Sequence, residues 1–321
     1  MKRKEKLLNF LPLMLMIVVC FLSVSIGQSQ TALTKALDYD GDGRADAAIF
    51  RSDGNTWQML RSNIGPTTVP FGIAALDTLT PGDFDGDAKG DISVWRASDG
   101  TFYYLKSSNG TYVITQFGQA SDEPVARDYD GDGRTDFAVV RRENGYLYWY
   151  ILQSSNNVWY VDQYGINTDR PAPGDYDGDG RFDLAVQRRI NDSLVFYVYR
   201  SSLGALSLQW GIYSDLAVPG DYDGDGATDI AVCRWEFRQG DKYEWWIHYS
   251  SDSSFGRFEY GRADLGDIIV QADYDGDGKT DMAVWRSPEQ NFWVNQSSNG
   301  QTTVLHWGFK GDLPVASYDT H

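Results

Sequence analysis

Residues 37–50 read LDYDGDGRADAAIF, and the spacing of their acids decides the fold. Counting from Asp38, carboxylates stand at positions one, three, five and nine: Asp38, Asp40, Asp42 and Asp46. A helix–loop–helix calcium loop starts the same way but closes with a bidentate Glu at position twelve. Here position twelve is Ile49. The acidic half of such a loop therefore runs straight into a short apolar segment, AAIFR, with the composition of a strand.

The stretch returns five more times, at intervals of 45, 45, 47, 46 and 52 residues. The second copy carries Asp83, Asp85, Asp87 and Asp91, and the third Asp128, Asp130, Asp132 and Asp136. The fourth carries Asp175, Asp177, Asp179 and Asp183, the fifth Asp221, Asp223, Asp225 and Asp229, and the sixth Asp273, Asp275, Asp277 and Asp281. Position twelve stays apolar throughout: Ile49, Val94, Val139, Val186, Val232 and Val284. That residue, with no helical pattern on either flank, excludes the helix–loop–helix reading. A period of this size marks a repeat architecture in which each repeat is one supersecondary unit.

Each loop leads into a β-branched segment such as FAVVR, then an aromatic-rich one such as YLYWYILQS. A third segment ends in aromatic-Gly, from Phe71-Gly72 to Trp307-Gly308, and a fourth returns to the next loop, as in EPVARDYD. The Asn-Gly of SSNG at 107–110 and 297–300 reads as a two-residue hairpin signal. Four strands per repeat, set radially, predict an all-β fold, a six-bladed β-propeller of four-stranded blades, with a seven-bladed ring as the alternative.

With six copies of one nonapeptide over residues 31–321, the chain resembles the FG-GAP or VCBS repeats of integrin-type propellers and of secreted bacterial proteins. The resemblance implies that each acidic loop joins the innermost strand of a blade to the second. Six residues before loops two to six stand Asp77, Asp122, Asp169, Asp215 and Asp267, whereas Ala32 holds that place before loop one. The chain ends GDLPVASYDTH, which offers the missing Asp as Asp312. Residues 312–319 are therefore expected to close the ring as the inner strand of the first blade, which leaves no open edge.

In each loop four carboxylates are joined by the position-seven carbonyl, from Arg44, Lys89, Arg134, Arg181, Ala227 and Lys279. Such hard oxygen cages suit Ca²⁺, about six ions in all. Position six is Gly except for Ala88, and a positive φ there would cost roughly 1 kcal/mol, so the second loop is expected to be the weakest. A plain acidic turn is the other reading of one copy. Six copies favour the ion.

The chain has 321 residues, 42% of them hydrophobic, and a net charge of −17. Residues 1–29, with KRKEK before a long apolar run, read as a signal peptide, with a retained membrane anchor as the alternative. Cleavage would remove a net charge of +3 and leave −20. Nucleic acid and anionic membranes are poor partners for such a chain. The expected location is secreted, cell-surface or periplasmic. Cys233 would then be the sole cysteine, so metal rather than a disulfide is the available staple.

Five residues past each ninth-position Asp stands an arginine: Arg51, Arg96, Arg141, Arg188, Arg234 and Arg286. These are expected to clasp the Asp residues that precede the loops, and an anion-binding ring is the alternative. Trp57, Trp149, Trp246 and Trp293 are expected in the core, with sugar stacking as the alternative. The fifth repeat inserts EFRQGDKYEWW after Arg234-Trp235, on the face where loops carry function. No catalytic residues are assigned: there are three His and no nucleophile elbow or zinc pattern. The chain reads as a binding or adhesion module for carbohydrate or an extracellular protein. A polysaccharide-degrading, lyase-like enzyme and a purely structural domain are the alternatives.

Overall fold

The computed structural model describes residues 32–235 and 240–316. The expected signal segment, residues 317–319 of the expected closing strand, and 236–239 of the fifth-repeat insertion lie outside the described residues. Six four-stranded antiparallel sheets follow one another as the blades of a propeller. The six-bladed count stands. Among the described residues no helix is long and apolar enough to cross a membrane.

Blades 2 to 6 open on inner strands of two or three residues: Asp77–Leu79, Glu123–Pro124, Arg170–Pro171, Leu216–Ala217 and Ile268–Ile269. Each acidic loop then delivers the chain to the second strand, for example Ile92–Arg96 or Phe137–Glu143. Blade 1 consists of Ala47–Arg51, Thr56–Arg61 and Gly65–Pro70, with Leu313–Pro314 paired against Ala47–Arg51 as its inner strand. That inner strand is composite. Val315 donates to the carbonyl of Ala48 at 2.9 Å, and Leu37, at the end of the short helix Ala32–Leu37, accepts from Asp46 at 2.9 Å.

The twelfth-position hydrophobe now has its explanation. Ile49, Val94, Val139, Val186, Val232 and Val284 are all 0% exposed. Each enters a cluster made mainly by the preceding blade: Val94 packs with Trp57 and Met59, Val186 with Leu147 and Trp149, and Ile49 with Trp285 and Phe292. The hydrophobic core is thus six inter-blade seams rather than one centre. The glycine of each aromatic-Gly pair makes room for that residue. A Cβ on Gly165 would stand 3.1 Å from Val186 Cγ1, and its φ of +106° is one that side chains disfavour.

Two expectations change. The SSNG segments do not form two-residue turns. Gly110 donates to Lys106 at 2.8 Å and Lys106 to Thr111 at 3.0 Å, which encloses four residues, and only the glycine has positive φ. The two-residue turn that needs positive φ at both positions appears instead at Asn144-Gly145, between Glu143 and Tyr146. Trp57 and Trp149 are fully buried, but Trp246 and Trp293 are only half-buried. The buried rings in those blades are Trp245 and Phe292, opposite Cys233 and Trp285. A shift of one residue along a strand moves a side chain to the other face.

Candidate metal centres

Six groups of carboxylates among the described residues bring three ligand oxygens within 4.8 Å of one another. They comprise Asp38, Asp40 and Asp42 in the first loop; Asp83, Asp85 and Asp91 in the second; Asp128, Asp130 and Asp136 in the third. The fourth holds Asp175, Asp177 and Asp183, and the fifth Asp221, Asp223 and Asp225. The loops fold alike because their own backbone organises the acids. One oxygen of the first-position Asp accepts from the position-four glycine, as Gly41 does to Asp38 at 2.6 Å. The other accepts from position six, as Gly43 does at 2.9 Å. Position six needs positive φ in every copy, and Ala88 adopts it at +65°.

The ninth-position Asp does a different job. One of its oxygens accepts from the residue after the first Asp, and the other from the turn between the two outer strands of the blade. Asp46 takes Tyr39 at 2.8 Å and Ser62 at 2.7 Å; Asp136 takes Tyr129 at 2.8 Å and Ser154 at 2.7 Å. This is the role of the Ser-Ser signal. The first serine hydroxyl donates to the fifth-position Asp, as Ser62 to Asp42 and Ser297 to Asp277, and the second reaches the third-position Asp, as Ser155 to Asp130. Recurrence of a serine 24 to 29 residues past the start of each loop, followed by a second serine in five of the six repeats, was the available sequence signal for these partners.

Position seven donates its backbone N–H to the fifth-position Asp, as Arg44 does to Asp42 at 3.0 Å and Lys279 to Asp277 at 2.9 Å. Its side chain crosses to the neighbouring blade. A Cβ on Gly131 would meet Arg181 Cγ at 2.9 Å, and one on Gly276 would meet Arg44 Cγ at 2.9 Å. The loops are also bonded directly to one another. The eighth residue of each loop donates to the first-position carbonyl of the loop before it: Gly90 to Asp38, Thr135 to Asp83, Phe182 to Asp128, Thr228 to Asp175, Thr280 to Asp221 and Ala45 to Asp273. The last of these closes the circle.

The loops fit a cation on two grounds. Oδ1 of Asp40, Asp85 and Asp177 is buried and has no hydrogen-bond partner, while Oδ2 of each is held by the turn. An acceptor in that condition is costly unless a cation meets it. In addition, burial pushes the ninth-position carboxyls of Asp46, Asp91, Asp136, Asp183, Asp229 and Asp281 up to about 7, against the pull of their backbone donors. Desolvated carboxylates clustered at this spacing need positive charge.

On the opposite face the arginines form clasps. Arg141 Nε meets Asp122 Oδ1 at 2.7 Å and Nη2 meets Oδ2 at 2.8 Å, and the same bidentate pair recurs in all six blades. The Asp also accepts from the backbone just past the previous blade's outer strand, as Gln119 donates to Asp122 at 2.8 Å. Each clasp therefore joins two blades. The guanidinium faces are covered too: Arg141 lies over Tyr150 at 4.2 Å, Arg234 over Trp246 at 5.1 Å and Arg286 over Trp293 at 5.0 Å. The half-buried tryptophans are lids on arginine.

A family model described as FG-GAP-like repeat matches residues 128–186 and 221–284. No curated protein matches the chain. Among solved structures, a streptogramin B lyase is similar at 10% identity and a TM-score of 0.48, over 82% of this chain and 80% of its own. Apo AztD from Citrobacter koseri is similar at 11% identity and a TM-score of 0.38, over 85% of this chain and 88% of its own. The same acidic loop occupies the same place in every blade, matched or not, and the chain is a six-bladed β-propeller that carries FG-GAP-like repeats.

Proposed function

We propose that the chain is an exported, calcium-stapled binding module, whose six loops hold Ca²⁺ and whose other face meets carbohydrate or an extracellular protein. The observation that carries the metal part is the buried, unpartnered Oδ1 of Asp40, Asp85 and Asp177 beside further carboxylates. All-oxygen donors at this density favour calcium over magnesium, which keeps its waters and a strict octahedron. The basic and apolar opening of residues 1–29 supports export. The binding role rests on the division of labour between faces: repetition is kept in the loops and clasps, and variation gathers around the axis opposite the loops.

Metal content of the purified protein and its melting temperature before and after chelation test the staple. About one ion per loop and a strong fall in melting temperature are expected. An unchanged melting curve would remove it. A glycan array run with the calcium-loaded protein tests the binding role. Release of unsaturated products from a polysaccharide would replace that role with a lyase activity.

A further inference from the structure

The wall of the propeller's axis is built where the repeats differ. A cavity of about 860 Å³ opens there, a volume in the range of small-ligand sites. The residue after each clasp arginine is Ser52, Ala97, Arg142, Arg189, Trp235 or Ser287. The middle four line the cavity. With Arg170, from the inner strand of blade 4, and Arg127 they put four arginines on a wall that carries two acids, Asp122 and Glu123, and is otherwise largely apolar. Basic lining is unexpected in a chain with 45 acidic and 28 basic residues.

Not all of that charge is available. Arg142 is held by Glu123 at 2.7 Å and by the carbonyls of Asn167 and Asp169, both at 3.1 Å. Among the described residues, the side chains of Arg170 and Arg189 have no hydrogen-bond or carboxylate partner. Arg189 lies over the ring of Tyr213 at 4.8 Å, and its Nε is buried and unpaired.

Gln187 supplies an independent observation. The other blades place Phe50, Trp95, Val140, Cys233 and Trp285 at its position. Gln187 is 5% exposed, borders the cavity, and its Nε2 has no partner. A buried donor left unmade is unfavourable, and a ligand oxygen would satisfy it. Blade 4 thus breaks an otherwise apolar position at Gln187 and sets Arg170 and Arg189 beside it, and all three residues border one space.

We infer that the axial cavity binds a carboxylate-bearing saccharide, a short uronate chain. Arg170 and Arg189 take its carboxylates with planar forks, Gln187 takes a hydroxyl, and Trp235 faces the apolar side of a sugar ring. The inference rests on the binding-module reading and names its ligand.

The test is titration calorimetry of the calcium-loaded protein with trigalacturonate and with neutral cellotriose, in parallel with melting curves. One-to-one binding of trigalacturonate that weakens with added salt is expected, with cellotriose at least about tenfold weaker. Arg189→Gln and Arg170→Gln should each weaken the uronate about tenfold or more, since each removes charge-assisted bonds, without lowering the melting temperature. Lys106→Gln, on the loop face, should bind as the parent does. Equal affinity for cellotriose, or competition by inorganic sulfate as strong as by trigalacturonate itself, overturns the assignment to an acidic saccharide. Uronate binding that survives both arginine substitutions overturns the cavity while leaving the binding module standing. If neither trisaccharide binds the folded protein the cavity assignment is lost, and the glycan array then decides the wider reading separately.

Discussion

Arg51 and Asp312 meet in a bidentate ion pair, Nη2 to Oδ2 at 2.8 Å and Nε to Oδ1 at 3.0 Å, although 261 residues separate them. The same pair is local in every other blade, where the partners stand only 19 positions apart. In blade 1 it fastens the C-terminal inner strand to the first blade. Asp312 has a side chain only 5% exposed, so a partnerless carboxylate there would be desolvated. Arg51→Met should therefore cost about 3–5 kcal/mol in denaturant unfolding, the usual penalty for breaking a buried pair. The double change Arg51→Met with Asp312→Leu should recover part of the loss. A double variant no better than the single one would deny the clasp its role in closure.

Ala88 occupies a left-handed backbone position at φ +65° that glycine fills in the other five loops. Ala88→Gly should stabilise the protein by about 1 kcal/mol, through relief of that strain, offset in part by the unfolded-state entropy of glycine. The gain is expected in the calcium midpoint of the weakest site as well as in denaturant. A loss of stability would show that the strain had been misjudged.

Asp130 joins a carboxylate group in the third loop and takes the hydroxyl of Ser155, whereas Asp252 is an exposed turn residue that accepts from Ser254. Asp130→Ala should lower the melting temperature of the calcium-loaded protein far more than Asp252→Ala. After chelation the gap should shrink, because the ion that Asp130 would hold is gone. A gap of the same size with and without chelator would assign Asp130 to the turn alone.

The pH dependence of stability should change sign with calcium. Without ion, burial holds the six ninth-position carboxyls at about 7, above their unfolded range. A raised folded pKa means that the native chain binds more protons than the unfolded chain in that window. The resulting stability is fully present below the unfolded value and lost as pH rises through about 7. Chelated protein should thus melt higher at pH 5.5 than at pH 8, while calcium, which needs ionised carboxylates, should reverse the order. Parallel slopes in the two conditions would rule out metal–proton exchange at these residues.

Ile49 packs under Trp285 and Phe292 at the seam between the last blade and the first. Ile49→Ala should cost about 2–5 kcal/mol by cavity formation. It should do so without altering metal content, since the side chain lies in the core rather than in the loop. Loss of bound metal in a protein that remains folded would mean that loop and seam are not separable.

The blade count, the acidic loops and the buried strand after each loop were legible in the chain alone, because each depends on contacts within a few residues. Asp38 organises its loop through Gly41 and Gly43, and Ile49 follows at a fixed distance. Repetition multiplied that local signal six times. Partnerships made across strands were not legible in the same way. The burial of Trp245 rather than Trp246 turns on a one-residue strand register in the longest repeat. The docking of Ser62 on Asp46 turns on how two turns of one blade stack. Arg170, Gln187 and Arg189 are unremarkable along the chain; strand pairing sets Arg170 opposite Gln187, and only the closing of the ring brings that edge of blade 4 to one cavity with Ala97 of blade 2 and Trp235 of blade 5. Local spacing determines which residues can ligate or cross a sheet, but the radial packing of whole blades decides which side chains, far apart in sequence, come to share a space.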